Sequence, residues 1–316
     1  MLKVVCFGEV LVDFIPDDAG LYTPHAGGAP ANVAVAVAKL GGNSRFVGGI
    51  STDSMGNMLE KSLVNYGVDT DSVIRKSNKT ALVLISLDGD GERSFEFYRD
   101  NTADLAINSA DVNSLSLKEA GFLHLCSNTL TTNTLSSATY SLISNAKASN
   151  VLVSCDVNLR LNLWPAGTKN KEIATKIDQC LAHCDVIKFS KDELVFLAAH
   201  SDQTESDYLT SLLEKGVSGV FVTDGPNPIQ YISPNVSVTV TPKNAEAVDT
   251  TAAGDSFVGG VLYKLCQAQS EQQITASLKS EKQVSEIIDF ASRCGAYTVT
   301  QRGAFDALPT SDQLLN

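Results

Sequence analysis

The sequence has no excess of positive charge: 24 Lys and Arg stand against 36 Asp and Glu, a formal net charge of −12. A chain this acidic is repelled as a whole by nucleic acid and anionic lipid, and no basic cluster longer than a pair offers an exception. No apolar run approaches the ~18 residues that a membrane span requires. Residues 1–8 are too short for a secretory leader, so a cytoplasmic location is expected. Seven cysteines, an odd number scattered from Cys6 to Cys294, do not make a disulfide framework. Cys180, His183 and Cys184 form the one tight group and lack a second ligand pair, so no structural zinc is expected. Cys126, Cys155 and Cys184 sit in or beside apolar runs, as small core residues do. Two nucleotide fingerprints are also missing. Without G-x-G-x-x-G after the first strand a dinucleotide-dependent dehydrogenase is disfavoured, and without G-x-x-x-x-G-K-[ST] the usual P-loop is excluded.

What is present is an ordinary globular composition, 43% hydrophobic and 19% charged over 316 residues. That length suits one large domain or two modest ones with a well-covered core. Short apolar runs at 4–7, 122–125, 151–154, 186–189 and 220–223 alternate with amphipathic stretches at 130–149, 169–183, 191–200 and 207–215. Strand and helix repeated in this way predict a parallel sheet covered by helices on both faces. Ligands of such sheets bind beyond the carboxyl ends of the strands. Gly8, Asp13, Asp156, Ser190 and Asp224 follow those ends.

One region breaks the rhythm. Residues 81–87 and 94–99 read as alternating strands joined by Asp88-Gly89-Asp90-Gly91, a hairpin signal rather than a calcium loop. With residues 13–24 they predict a small antiparallel piece set into the α/β body, too slight to be a core of its own and suited to a lid. Residues 31–38 alternate like a strand. Their alanine content, Pro30 at a first-turn position and Gly41-Gly42 beyond the end favour a helix.

The strongest local motif is Asp249-Thr250-Thr251-Ala252-Ala253-Gly254-Asp255, running into Ser256-Phe257-Val258-Gly259-Gly260. Small residues at a helix start expose N–H groups and the positive end of the helix dipole, which together make an anion site. A carboxylate beside bound phosphate is repelled unless it has a task, and taking a proton from an attacking hydroxyl is one. The plain alternative for Asp255 is an acidic residue complementing the helix dipole. A second motif, Gly27-Gly28-Ala29-Pro30-Ala31-Asn32, lets the chain pass close to a ligand and offers an amide that can both donate and accept, as sugar hydroxyls do. Standing alone it would be a turn and a helix start.

These two motifs, in this order and separation, resemble those of the ribokinase-like (PfkB) carbohydrate kinases, and the likeness runs from Val4 to Pro309. Finer features resemble the fructokinase branch: Gly8-Glu9-Val10-Leu11-Val12-Asp13, Phe95-Glu96-Phe97-Tyr98-Arg99, Asp156-Val157-Asn158-Leu159-Arg160 with Leu163-Trp164-Pro165, and Gly295-Ala296-Tyr297-Thr298. The resemblance implies that Asp255 is the catalytic base and that Ala252, Ala253 and Gly254 form the anion hole, with Arg160 near substrate and phosphates. It implies sugar contacts from Asp13, Gly27, Gly28 and Asn32, and from Phe97 and Arg99 on the lid strand. Lys188, Thr223, Gly225 and Ser292 fall to the nucleotide, and Glu193 to placing magnesium through water. Asp249, Thr251 and Gly303 match a monovalent-cation site. Two departures are visible: Ala252 stands where many relatives have glycine, and Ser190 replaces the asparagine of N-x-x-E.

The expected architecture is therefore an α/β three-layer parallel-sheet sandwich with a small antiparallel β lid. Residues 1–13, 36–75 and 106–316 make the body, and residues 14–35 and 76–105 make the lid. The expected activity is transfer of phosphoryl from MgATP, with potassium as activator, to a small-molecule sugar, preferably a primary hydroxyl of D-fructose. The competing substrate is 2-keto-3-deoxygluconate, whose carboxylate Arg99 or Arg160 could meet; a riboside comes third. A non-catalytic sugar-binding regulator is the alternative of a different class, against which the intact Asp255 motif speaks. Nucleic-acid and membrane partners are not expected, and a homodimer is compatible with the resemblance. An edge-strand charge is the plain reading of Arg99, and a helix N-terminal carboxylate that of Glu193. Trp164 reads as a packing anchor, His25 as a solvated loop residue and His124 as a satisfied core residue.

Overall fold

The computed structural model describes residues 1–16, 19–87 and 93–314, with the side chains of residues 87, 93 and 95 left undescribed. The expected turn at 88–91 lies outside these. The strands are β1 (Lys3–Phe7), β2 (Leu11–Pro16), β3 (Tyr22–Gly27), β4 (Asn43–Ser51), β5 (Val73–Lys76), β6 (Leu82–Leu87) and β7 (Arg93–Tyr98). They continue as β8 (Ala120–Cys126), β9 (Leu152–Asp156), β10 (Val186–Ser190), β11 (Gly219–Asp224), β12 (Asn227–Ile232) and β13 (Ser237–Val240). The helices are α1 (Ala29–Lys39), α2 (Ser54–Asn65), α3 (Ser109–Val112), α4 (Asn133–Ala148) and α5 (Asn170–Leu181). After them come α6 (Lys191–His200), α7 (Glu205–Glu214), α8 (Ala253–Leu265), α9 (Glu271–Leu278) and α10 (Glu281–Thr298).

Nine strands form one sheet in the order β13-β12-β11-β10-β9-β8-β1-β4-β5. Its strands alternate between two cores. In β1, Val4 and Cys6 join α1, α2, α8, α9 and α10 on one face, while Val5 and Phe7 join α3 to α7 on the other. Residues two apart share a face, so an uninterrupted apolar run is what a sheet covered on both sides needs. The sheet is parallel from β5 to β11, but β12 and β13 are antiparallel. Only Gly225 and Pro226 join β11 to β12, a link long enough for a hairpin and far too short for a crossover.

The helix expected at 31–38 is α1, and its alternating pattern has a packing cause. It is buried along nearly its whole length between the sheet and α8. A Cβ on Gly259 of α8 would stand 2.4 Å from the Ala36 Cβ, so the two helices cross with nothing larger between them.

The second sheet has the order β3-β2-β6-β7. The hairpins β2–β3 and β6–β7 are antiparallel and join through the parallel pair β2–β6. Leu11, Ala81, Val83 and Ile85, with Ile15 and Phe97 against them, make its own small core. Two boundaries of the expected lid shift. A limit at residue 35 would cut α1, which packs on the body throughout. Residues after Arg99 have also returned to the body: the Ala103 carbonyl oxygen would lie 2.0 Å from a Cβ on Gly49 of β4. Asp13, expected just beyond the first strand, lies inside β2.

Candidate active site

The segment before α8 sets the chemistry. Ala252 caps the helix in the left-handed region, φ 59°, a conformation that costs a residue with a Cβ roughly 1 kcal/mol and turns the chain sharply into α8. Asp249 anchors the approach: its Oδ1 accepts the Thr251 N–H at 2.9 Å and its Oδ2 the Gly303 N–H at 3.0 Å. The three residues assigned to a cation are thus brought together.

Asp255, in the first turn of α8, is 6% exposed. Its Oδ2 accepts from Asn32 Nδ2 at 2.7 Å and its Oδ1 from Asn158 Nδ2 at 3.2 Å. Burial, and then the charge of Asp156, push its carboxyl up to about 7, against Asn32, Lys188 and Arg160. Asp13 is pushed up to about 7 as well, by burial first and then by Asp255 and Asp249. Its carboxylate lies over the backbone of Gly27, where a Cβ would meet Asp13 Oδ2 at 2.2 Å. Lys188 is held by both oxygens of Asp156, at 3.1 and 3.2 Å. Its Nζ would stand 3.2 Å from a Cβ on Gly254, which sets a cation beside the small-residue turn.

A cavity of about 670 Å³ gathers most of these groups; Asp13, Asn32, Phe97, Arg160, Lys188 and Asp255 all line it. Gly28, Glu193, Asp249, Thr251 and the run from Ala252 to Gly254 line it too. A second, mainly apolar cavity of about 330 Å³ is lined by Thr223, Gly225 and Ser292. The two share Ala247, Thr250, Ala253 and Gly254, so the helix start lies between them.

Some side chains are engaged differently from expectation. Arg99 does not line the larger cavity with Phe97. The strand ends at Tyr98, and the returning chain brings Asp104 Oδ2 within 2.6 Å of Arg99 Nε, burying the guanidinium at the junction of the two sheets. Nor is it the exposed edge-strand charge of the plain reading. Glu193 closes a capping box at the start of α6: Oε2 accepts from Ser190 N at 2.7 Å. Its Oε1 accepts from Leu159 N at 2.9 Å, which ties down the loop bearing Asn158 and Arg160. His124 is buried with Nδ1 3.2 Å from Ser154 Oγ, and burial, then Lys188, pull it down to about 3, so it stays neutral. Trp164 is a buried packing residue, and His25 is half-buried with Nε2 2.9 Å from Thr23 Oγ1. All seven cysteines are free and buried, and no metal-holding group of acidic, His or Cys residues exists among the described residues. No helix among them is long and apolar enough to cross a membrane.

Two cavities meeting at a helix start, with a buried carboxylate there, suit phosphoryl transfer, which depends on positioning two substrates and stabilising the charge between them. The model of the pfkB family carbohydrate kinases matches residues 1–311. The chain belongs to the pfkB family of carbohydrate kinases. As such it is an ATP-dependent carbohydrate kinase. It is 38% identical to Fructokinase-1 of Oryza sativa subsp. japonica over 320 residues, 99% of this chain and 96% of that protein. A fructokinase from Xylella fastidiosa, solved with bound ATP, superposes with a TM-score of 0.94 at 35% identity, covering 99% of this chain and 97% of that one. One from Vibrio cholerae O395, solved with fructose, ADP and calcium ion, superposes at 0.87 with 34% identity, covering 100% and 98%.

Sequence reasoning gave no role to Glu9, Asn128 or Asn158 and placed Asp156 only at a strand end; all four are buried. Glu9, Asn158 and Asp156 stood inside quoted motifs, and a polar residue directly after an apolar strand was the available signal.

Proposed function

We propose that this kinase phosphorylates D-fructose at a primary hydroxyl, with Asp255 as general base. The observation that carries the reading is the buried Asp255 at the first turn of α8, held by Asn32 and Asn158 at the meeting point of two cavities. The larger cavity takes the sugar. Asp13, Gly27, Gly28 and Asn32 supply hydroxyl partners, and Phe97 of β7 a flat apolar face. The apolar cavity at Thr223, Gly225 and Ser292 takes the adenine, which leaves the terminal phosphate over Ala252, Ala253 and Gly254.

The sugar hydroxyl attacks the terminal phosphorus as its proton passes to Asp255 and the bond to the ADP oxygen breaks. Both oxygens of Asp255 are fixed by asparagine amides, so the base is oriented before the hydroxyl arrives. Exposed N–H groups of the first turn of α8, with the helix dipole behind them, meet the charge on the transferring group. Lys188 adds a fixed cation, and Arg160 a mobile one at the cavity wall. Magnesium bound with ATP would neutralise charge on the phosphate oxygens; Glu193, whose two oxygens each accept one backbone N–H, lines the cavity where the water shell of that ion would lie. Asp249, Thr251 and Gly303 would hold a potassium ion through carboxylate and backbone oxygens; its charge would offset that of the phosphates. The small sheet closes over the sugar as a lid and keeps water from ATP.

The relatives with 34–38% identity reported above are named fructokinases. Of the two arginines that could meet a substrate carboxylate, Arg99 is paired with Asp104 and does not line the larger cavity, which leaves Arg160 alone for that task and favours a neutral sugar over 2-keto-3-deoxygluconate. Phosphorus NMR of a reaction with D-fructose and MgATP should show ADP and a sugar phosphate split by a CH₂ group. ADP with inorganic phosphate and no sugar phosphate would refute the proposal.

A further inference from the structure

A buried ion pair, Arg99 with Asp104, stands where the small sheet rejoins the body, and a third buried charge, Glu9, acts on it from the body side. Arg99 follows the last residue of β7, and its Nε donates to Asp104 Oδ2 at 2.6 Å. Thr102 Oγ1 donates to Asp104 Oδ1 at 2.6 Å, so the carboxylate is fixed from both sides. The Nη1 and Nη2 groups of Arg99 are buried and have no hydrogen-bond partner among the described residues. On the body side, Glu9 lies between β1 and β2 and is 3% exposed. Its Oε1 accepts from Ala29 N at 3.3 Å and from Asn128 Nδ2 at 3.1 Å. Its Oε2 is buried without a partner.

The charges of the two residues act on each other. Burial raises the Glu9 carboxyl, and Arg99 opposes this more than any other group. Burial weakens the hold of Arg99 on its proton, and Asp104 and then Glu9 more than restore it. Buried donors without an acceptor and a buried acceptor without a donor are costly singly. Here the partnerless donors and the partnerless acceptor carry opposite charges that attract across a low-dielectric interior, with no direct hydrogen bond between Glu9 and Arg99 among the described residues.

The other oxygen of Glu9 leads to the site. Ala29 is the first residue of α1, which carries Asn32, and Asn32 Nδ2 holds Asp255 at 2.7 Å. We propose that Glu9 is a positioning residue for phosphoryl transfer. With one carboxylate oxygen it holds the start of α1, and through its charge it couples that helix to Arg99 at the root of the small sheet. The placement of Asn32, and through it of Asp255, then depends on where the small sheet stands. Glu9 need not touch the sugar for this. The inference rests on reading the larger cavity as the sugar site of a kinase.

Steady-state kinetics with sugar and ATP varied separately tests it, on the intact protein and whichever sugar the parent turns over. Parent turnover on that sugar tests the functional reading by itself, so failure of the two can be told apart. Glu9→Gln keeps the shape and the Oε1 acceptor but removes the charge. It should raise the sugar KM at least about tenfold and lower kcat, with the ATP KM within about twofold of the parent. Glu9→Gln combined with Arg99→Gln should be no worse in sugar KM than the more affected single variant, because the coupling is lost only once. Arg99→Lys, which keeps the charge, should recover part of the loss seen in Arg99→Gln. If Arg99→Gln does not fold, Glu9→Gln decides by its KM split alone. An unchanged sugar KM in Glu9→Gln, or sugar and ATP KM raised equally, would overturn the proposal, as would additive losses in the double variant.

Discussion

Asn32 and Asp255, 223 positions apart in the chain, meet at 2.7 Å, with Nδ2 of the first donating to Oδ2 of the second. The contact ties the start of α1, at the edge of the larger cavity, to the start of α8. On the proposed reading, one amide would serve the substrate side and the base at once. Its own Oδ1 is buried without a partner among the described residues, an acceptor left for a sugar hydroxyl.

Asp255→Asn should keep the fold and bind sugar nearly as the parent does, since an amide can fill the same space. Turnover should fall by about two orders of magnitude or more, the usual cost of removing a general base. The check is kcat at saturating sugar and MgATP. A value within about threefold of the parent would remove Asp255 from the role.

The raised carboxyls make activity and stability move in opposite directions with pH. Asp255 and Asp13, each pushed up to about 7, hold protons more tightly folded than unfolded. Stability should fall as pH rises from the ordinary carboxylate range, near about 4, through about 7. Activity should rise over the upper part of that window, because the base must be ionised. Asp255→Asn should melt at least ~2 °C above the parent at pH 8, with the gain shrinking toward pH 4. Melting curves and kcat/KM across pH 5–9 measure both; an Asn variant less stable at pH 8 would contradict the sign.

Asp13→Asn should raise the sugar KM by about tenfold or more and leave the ATP KM within about twofold. Asp13 lies in β2 over Gly27, on the sugar side of the cavity. Initial rates with each substrate varied in turn would show it, and a change confined to the ATP KM would refute the assignment.

Potassium should activate more than sodium, and Asp249→Asn should abolish the difference. The Asp249 carboxylate links Thr251 to Gly303 immediately before the anion-binding turn, so a cation there would order that turn. Equal rates in potassium, sodium and a bulky organic cation would count against the site.

The layered fold was legible in the chain because β1, β8, β9, β10 and β11, buried on both faces, are short, largely apolar runs; β4, with Arg45 and a glycine pair in it, was not read. The turn before α8 was legible for a similar reason, since its small residues are consecutive in sequence. What could not be read was whatever depends on residues far apart meeting. Asn158 reaches Asp255 from a loop whose next residue, Leu159, is held through its N–H by Glu193 of α6. Arg99 alternates with Phe97 on paper, yet β7 ends between them and Asp104 claims the guanidinium. Strands β12 and β13, at the antiparallel end of the sheet, escaped notice because they are short and alternate polar with apolar residues, with Pro228 near the start of β12, where the buried strands read from sequence are largely apolar runs.

The small sheet should respond to sugar. Hydrogen exchange in β6 and β7 should slow on adding D-fructose, more than on adding an ATP analogue alone, and Phe97→Ala should weaken that protection. Exchange already slow in the free protein and unchanged by sugar would make this sheet a fixed element.

The most direct measurement is sugar-dependent ADP release from MgATP by the purified protein, compared across D-fructose, 2-keto-3-deoxygluconate, ribose, glucose and adenosine. D-Fructose should give the highest kcat/KM by about tenfold or more, a margin of roughly 1.4 kcal/mol in transition-state binding. No ADP release with D-fructose, or a higher kcat/KM with 2-keto-3-deoxygluconate or a riboside, would contradict the account.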